Sequence, residues 1–189
     1  MREADPQHRG IAYGVAAYLW WGVAAVYFKW VDHVPALEIL AHRVIWSALL
    51  LWLLLAARGR VGATLALVRR PRTILTLLAS TALIAANWFT FIWAVTTGQV
   101  LQASLGYFIT PLVNVLLGVL FLRERLRRPQ ALAVVLAALA VTWLAVGYGE
   151  APRIALVLAF CFGFYGLLRK QVAADALGGL GVETLLLLP

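Results

Sequence analysis

Three ionisable residues stand close together in an apolar stretch, and their types could support acid–base or binding chemistry. Glu38 and His42 are four residues apart, so a helix places both on one face, whereas Arg43 points about 100° away from His42. We expect the three to form a charged gate or a solute contact near the outer mouth of a pathway. The alternative is that Arg43 extends to the polar surface while Glu38 and His42 fix the register of the helix.

Metal and enzyme chemistry find little support in the sequence. A zinc site needs more ligands than Glu38 and His42, and no further acidic or histidine ligand lies nearby, so no metal is expected. The Gly-x-Ser-x-Gly turn of serine hydrolases and the His-Glu-x-x-His pair of zinc peptidases are both missing. We expect no enzyme and no cofactor. A membrane-embedded transferase with Glu38 and His42 as acid and base is the alternative.

Polar residues recur with helical spacing further along the chain. One stripe, at steps of three or four residues, consists of Ser104, Tyr107, Pro111, Asn114 and Gly118. Tyr107 and Asn114 supply hydrogen-bonding groups, and Pro111 leaves a carbonyl one turn earlier without its partner. Two interpretations stay open: the stripe is the wall of a solute pathway, or it is a close interface between helices.

A weaker stripe of the same kind precedes it and contains Ser80, Asn87, Thr90, Ala94 and Thr97. We expect Asn87 and Thr90 to lie in the pathway, with Asn87 also able to brace the next span. Glu124, which stands between two arginines, is expected in a network of ion pairs at the cytoplasmic surface.

The segments that carry these residues are long and apolar. Hydrophobic residues make up 63% of the 189-residue chain and the mean hydropathy is +0.89, against the roughly 45–50% apolar content of soluble domains. Six blocks approach the roughly 20 residues that cross a bilayer core: 10–28, 37–57, 74–95, 101–122, 131–147 and 154–168. None alternates as a barrel strand would. The sequence predicts an all-α, polytopic transmembrane bundle. A seventh block opens at Val182 and is expected to end the chain inside a helix.

Basic residues are distributed unevenly between the two sides of the predicted bundle. Thirteen fall on the side of the N-terminus, whereas Lys29 and Arg153 fall on the other and Arg43 lies within a span. The positive-inside rule therefore predicts a cytoplasmic N-terminal tail over residues 1–9. The net charge of +8 is explained by topology and by contact with the lipid bilayer, so no nucleic acid partner is expected.

Two segments show a weak internal similarity. Residues 17–22, Lys29 and Glu38 correspond to residues 159–166, Lys170 and Glu183. Because five spans separate the copies, the second copy enters the membrane from the opposite face, which is the inverted repeat of many transporters. We predict a first five-helix unit over residues 10–147 and the start of a second unit over residues 152–189.

Several longer motifs resemble a known family. They are residues 17–22, 27–29, 34–43, 86–88, 103–109, 111–114, 124–126 and 165–170, which include Val34-Pro35-Ala36-Leu37-Glu38 and Ala103-Ser104-Leu105-Gly106-Tyr107. The chain resembles RarD-type members of the EamA family, in the drug/metabolite transporter superfamily. The resemblance implies a ten-span permease of two inverted units in the bacterial inner (plasma) membrane. Arg123 and Ala140 depart from it, because relatives commonly have glycine there, which suggests looser helix contacts.

From these observations we expect a permease for small metabolites or drug-like solutes that works by alternating access and is inactive as this fragment. The first four spans would line a cavity, and the fifth would pack beside them. Asn87, Tyr107 and Asn114 would contact the solute. The expected partners are a small-molecule solute, the lipid bilayer and, as a homodimer, a second copy of the chain. A non-transporting membrane scaffold or assembly subunit is the alternative.

Overall fold

All regular secondary structure in the described part of the protein is helical. The computed structural model describes residues 6–147, 149, 151–172 and 174–188, and no strand occurs in these ranges. The helices are α1 (Pro6–Trp30), α2 (Ala36–Ala57), α3 (Val61–Val68), α4 (Pro71–Thr96), α5 (Val100–Phe121), α6 (Arg128–Gly147), α7 (Arg153–Gln171) and α8 (Ala176–Leu186). Six of them, all except α3 and α8, are long and apolar enough to cross a membrane. The predicted all-α, polytopic bundle is confirmed.

The six predicted spans correspond to α1, α2, α4, α5, α6 and α7, with ends that differ by a few residues. Among the starting residues of the six helices, that of α1 differs most from the prediction. This helix begins at Pro6, inside the predicted tail of residues 1–9. Residues 1–5 of that tail lie outside the described part. The membrane-crossing portion of α1 is Gly10–Trp30.

Helix α3 was not predicted from the sequence. It is an eight-residue apolar segment between groups of arginines, too short to cross a bilayer core. The chain enters it through a turn at Gly59, whose φ of 63° lies in the left-handed region that glycine tolerates. Thr64 of α3 is buried, so the helix packs back onto the bundle.

The prediction for α8 was wrong at both ends. The helix begins at Ala176, not at Val182, and it ends at Leu186, before the end of the chain. Asp175 caps its start, because the carboxylate accepts a hydrogen bond from the N–H of Gly178. The glycines that suggested a break instead allow close packing: a Cβ at Gly179 would overlap the Arg169 guanidinium, and one at Gly181 would lie 2.8 Å from Leu55 Cδ1.

Helix α7 lies at the centre of the bundle, against α4 and α5. A Cβ at Gly106 of α5 would lie 3.1 Å from Leu158 Cβ of α7, and one at Gly163 of α7 would lie 2.6 Å from Val113 Cγ1 of α5. Glycine therefore lets the two backbones approach closely, as in many membrane helix pairs. Because the early residues of α5 meet the early residues of α7, the two helices run in the same direction.

Two clusters of buried apolar residues form the core, and α7 contributes to both. One joins Phe28, Ile39 and Phe91 to Ile154 and Leu158 of α7. The other joins residues of α5 to three residues of α7: Ala155, Ala159 and Leu167. Helix α6 packs only against α5 among the described helices, and none of its residues is buried. An apolar helix exposed on almost every side is suited to contact with lipid.

The two ends of the bundle differ in charge. Arg60, just after α2, pairs with Asp175 at the start of α8, and Lys170 near the end of α7 lies near Glu124, just after α5. These contacts show that α2, α5 and α7 end, and α8 begins, at the same end of the bundle. Trp52 of α2 donates a hydrogen bond to the carbonyl of Gly181 at the same end. The arginines that flank α3 and those between α5 and α6 lie beside these helix termini. We call this the basic end.

Candidate functional site

A cavity of about 460 Å³ lies between α1, α2, α4, α5 and α7. Six of its lining residues are aromatic: Tyr18, Trp21, Trp88, Phe91, Tyr107 and Phe162. Four others carry hydrogen-bonding groups: Arg43, Asn87, Thr110 and Asn114. The volume lies within the roughly 300–1,000 Å³ of small-molecule sites. The expected wall of the first four spans is extended by α7, through Leu158 and Phe162, and α6 contributes none of the described lining residues.

Among the described residues that line the cavity, only Arg43 is charged. Its guanidinium carbon lies 4.2 Å from the ring centroid of Trp88 and 5.6 Å from that of Trp21. Stacking of this kind is worth about 2 kcal/mol where the cation is shielded from water. The Nη1 atom is buried and has no hydrogen-bond partner. Arg43 thus points into the bundle and does not extend to the polar surface.

Four of the predicted pathway residues line the cavity: Asn87, Tyr107, Pro111 and Asn114. Asn87 also braces the bundle, because its side-chain amide donates a hydrogen bond of 3.0 Å to the carbonyl of Leu158. The helix that it braces is α7, not the neighbouring α5. The ring of Tyr107 packs edge-on against Phe91, with centroids 5.9 Å apart.

Thr90 and Ser104 are not among the lining residues. Thr90 is half-buried outside the cavity, and Ser104 is exposed on the outer surface of α5. The wall of α5 includes Ala103 and Gly106 instead, which have no polar side-chain atoms and so gave no signal in the polar stripe. The face toward the cavity is therefore rotated relative to the face that polarity alone indicated.

Glu38 and His42 are also separate from the cavity. Both side chains are exposed on α2, and neither lines the space into which Arg43 points. The helical offset between His42 and Arg43 accounts for this separation, since neighbouring positions differ by about 100°. Of the three residues of the predicted gate, the structure brings only Arg43 to the cavity.

Glu124 lies at the basic end, beyond the last turn of α5. Its Oε1 atom is 3.9 Å from Lys170 Nζ of α7, and both side chains are more than half exposed. Arg123 directly before it has a φ of 55°, in the left-handed region that disfavours residues with a Cβ. Glycine would adopt this conformation after the end of the helix without that cost.

The structure also reveals a buried carboxylate that the polar stripes did not identify. Glu183 of α8 is fully buried, and Ser80 of α4 donates a 2.6 Å hydrogen bond to its Oε1 atom. Tyr165 of α7 donates a 3.2 Å bond to Oε2. Arg169 Nε lies 3.9 Å from Oε1. The carboxylate thus joins three helices.

This Glu183 cluster, formed by Ser80, Tyr165, Arg169 and Glu183, lies between the cavity and the basic end. Ser80 precedes the cavity residue Asn87 by about two turns of α4, roughly 10 Å, and α4 begins at the basic end. Tyr165 and Arg169 follow the cavity residue Phe162 toward the end of α7. The cluster therefore joins α4, α7 and α8 on the side of the cavity that faces the basic end.

Two exposed ion pairs lie outside the membrane-spanning segments or at their edges. Arg60 contacts Asp175 at 2.8 Å, and its hydrogen bond lowers the pKa of that carboxyl below the ordinary value. Lys29 contacts Asp32 at 2.8 Å at the opposite end, and it lowers the pKa of Asp32 in the same way. The first pair ties α3 to the start of α8, and the second closes the turn after α1.

Comparisons with known proteins identify the family. Residues 8–146 match the EamA-like transporter family. The protein RarD of Salmonella typhi is 49% identical over 187 residues, which are 99% of this chain and 64% of that protein. RarD of Escherichia coli is 47% identical over 99% of this chain and 63% of its own length. A protein named as an uncharacterized transporter in Vibrio cholerae is 49% identical over 96% of this chain and 60% of its own length.

The chain therefore spans 60–64% of the length of these relatives. No solved structure shows a significant match to it. The identity extends across almost the whole chain, and the described structure is that of a multi-pass helical membrane protein. The chain belongs to the EamA-like transporter family and, within it, is a RarD-type member.

Proposed function

We propose that this chain forms part of a permease that moves small metabolites or drug-like solutes across the bacterial inner membrane. The observation that carries the proposal is the cavity of about 460 Å³ between membrane-spanning helices, with Arg43, Asn87, Tyr107 and Asn114 on its walls. Polar groups inside a membrane bundle are costly and commonly mark a solute path. The names of the relatives, which include transporters, support the same activity.

Alternating access fits the way the helices pack. We assign residues 10–147 to the first five-helix unit and residues 152–189 to the start of an inverted second unit. Helix α7, the first of the second unit, packs against α4 and α5 of the first, and the cavity lies along these contacts. Rocking of one unit against the other would open this space to each side of the membrane in turn. Because the chain covers less than two thirds of its relatives, we propose that the cycle needs the whole protein.

The rival functions use features that lie elsewhere. A membrane-embedded transferase would need its acid and base beside an enclosed substrate, yet Glu38 and His42 are exposed and outside the cavity. A non-transporting scaffold would need no space accessible to water within the bundle. Water access to the cavity is therefore the property that separates a permease from a scaffold.

Thiol labelling in a bilayer measures this property. In a Cys161→Ala background, we would introduce Tyr107→Cys or Asn114→Cys on the cavity wall, and Ser104→Cys on the outer surface of the same helix. A neutral, water-soluble maleimide should react with positions 107 and 114 and should leave position 104 unlabelled, because lipid excludes the reagent there. No reaction at positions 107 and 114, in a protein with native helix content by circular dichroism, would reject the pathway.

A further inference from the structure

We infer that Arg43 makes the cavity selective for solutes that carry an anionic group, such as a carboxylate, on an apolar or aromatic body. The inference rests on the proposed function, since it names the class of solute that the same cavity takes. It depends on the surroundings of Arg43 and on the composition of the cavity wall.

The charge of Arg43 is not matched by an acidic side chain in the described part of the chain. The ion pairs found there involve Lys29, Arg60, Arg169 and Lys170, and none involves Arg43. The lining residues that the structure describes include no acidic side chain. An unpaired cation within a membrane bundle is unfavourable, and it is commonly functional. An anionic ligand would supply the missing counter-charge.

The hydrogen-bonding edge of the guanidinium is not satisfied by the described part of the chain. Trp88 lies against the guanidinium with its ring centroid 4.2 Å away, and Trp21 lies at 5.6 Å. Aromatic stacking occupies the faces of the planar group and does not use its N–H donors. The Nη1 atom has no hydrogen-bond partner although it is buried. A carboxylate can accept two parallel N–H bonds from such a fork, which is the strong bidentate arrangement.

The rest of the wall indicates what is attached to the anionic group. The apolar and aromatic side chains that surround Arg43 include Trp21, Phe91 and Phe162, which favour an apolar or ring-shaped body. Thr110 and Asn114 follow Tyr107 along α5, in the direction of the basic end. Their side chains can hydrogen-bond to a polar group of the solute that lies at a distance from its anionic group.

A cationic solute and a neutral solute fit these observations less well. Aromatic rings do attract cations, but the positive charge of Arg43 in the same space would repel one. A neutral solute would leave Arg43 without a counter-charge. A purely structural role, in which Arg43 braces α2 against α1 and α4 by stacking, predicts no dependence of binding on the charge of the solute.

The test measures protection of a cavity cysteine by matched probes. The protein carries Cys161→Ala and Asn114→Cys and is reconstituted in nanodiscs at neutral pH. Phenylacetate, phenylacetamide and phenethylammonium have the same ring and differ in charge. We expect phenylacetate to slow the reaction of position 114 with a neutral maleimide at a concentration about tenfold lower than phenylacetamide does, and phenethylammonium to protect least.

Arg43→Gln should remove the preference for phenylacetate over phenylacetamide, whatever it does to protection by either probe alone. Arg43→Lys keeps the charge without the planar fork and should retain part of the preference. Arg58→Gln, an equal change of charge at the exposed end of the same helix, should leave the preference intact. Circular dichroism shows whether each variant keeps its helices.

Three outcomes would overturn the inference. They are equal protection by the acid and the amide, an acid preference that survives Arg43→Gln, and no protection by phenylacetate. In each of these the cysteine still reacts, so the pathway itself stands. If position 114 does not react at all, the proposed function fails, and the inference fails with it.

Discussion

Glu183 and Glu124 each have an Oε1 atom 3.9 Å from a basic side chain, but their surroundings differ. Glu183 is buried and accepts hydrogen bonds from Ser80 and Tyr165, whereas Glu124 is more than half exposed beside Lys170. Water screens the exposed pair, and pairs of that kind contribute between zero and about 1 kcal/mol. Removing one partner of a buried pair leaves the other groups without compensation, which costs about 3–5 kcal/mol.

We therefore predict that Glu183→Ala lowers the free energy of unfolding by about 3–5 kcal/mol, and that Glu124→Ala changes it by less than about 1 kcal/mol. Glu183→Gln should lie between them, because the amide keeps an acceptor for Ser80. Denaturant titration of the purified protein in detergent, followed by circular dichroism, measures the differences. Equal stabilities of Glu183→Ala and Glu124→Ala would show that the Glu183 cluster does not hold α8.

The candidate site could be predicted only in part from residue types. Polarity in an apolar span directed attention to Asn87, Tyr107, Asn114 and Arg43, and the structure places all four on the wall of the cavity. Polarity does not show how a helix is rotated about its axis, so Ser104, which lies on the outer surface of α5, was grouped with residues that face the cavity. Glu183 stood out only as the counterpart of Glu38, because its partners come from α4 and α7 and no local spacing in the sequence relates them.

At the scale of helices, the interface between α5 and α7 depends on a glycine that has no room for a side chain. A Cβ at Gly163 would lie 2.6 Å from Val113 Cγ1, whereas a Cβ at Gly166 would meet nothing within 4 Å. Valine is branched at Cβ and has few alternative rotamers, so it cannot move aside cheaply.

We predict that Gly163→Ala destabilises the protein by about 1–3 kcal/mol through overpacking. Gly166→Ala on the same helix should stabilise it by about 0.5–1 kcal/mol, because alanine favours helix and meets open space. Thermal unfolding in detergent compares the two variants with the native chain. A Gly163→Ala variant as stable as Gly166→Ala would contradict the close contact.

The attachment of α8 to α3 should depend on pH. The hydrogen bond from Arg60 lowers the pKa of Asp175 below its ordinary value of 3.8, so the pair contributes stability above that value. The contribution is lost as the pH falls through the lowered pKa, because the carboxyl group is then protonated in the folded state as well. Asp175→Asn removes the charge but keeps a residue that caps helices well.

We expect the native chain to unfold at a higher temperature than Asp175→Asn near neutral pH. This difference in unfolding temperature should vanish as the pH falls below 3.8 and through the lowered pKa of Asp175 in the folded protein. Arg60→Gln should lose the same increment. Thermal unfolding across a pH series measures this difference. Curves for the native chain and Asp175→Asn that stay parallel throughout the acidic range would exclude a contribution from the pair.

The six long helices were predictable because each needs only length and hydropathy, which are local properties. Helix α3 and the start of α8 were not predictable in this way, because the contacts that stabilise them come from other parts of the chain. The glycines of α8 resemble a break in the sequence, yet they fit against Leu55 and Arg169, which precede them along the chain. Glycine indicates a loop or a close approach equally well, and only the neighbouring helices decide between them.

At the scale of the whole molecule, the charge difference between the two ends makes the orientation testable. The basic end should face the cytoplasm. In a Cys161→Ala background, Thr97→Cys at the opposite end should react with a membrane-impermeant maleimide in spheroplasts. Arg58→Cys at the basic end should react only after the membrane is opened. Both residues are exposed, so accessibility within the protein does not limit either reaction. The reverse order of labelling would invert the proposed topology.

The participation of α7 in both buried clusters has a consequence for how the protein assembles. The first cluster lacks its full set of buried residues until ribosomal synthesis has passed Leu158, and the second until it has passed Leu167. The amide of Asn87 likewise lacks the carbonyl of Leu158 until synthesis has passed that residue. The proposed border between the two units near residue 147 is therefore not expected to be the border of an autonomous folding unit. Expressed alone, residues 10–147 would expose the groove that α7 fills, so cellular quality control should degrade that fragment.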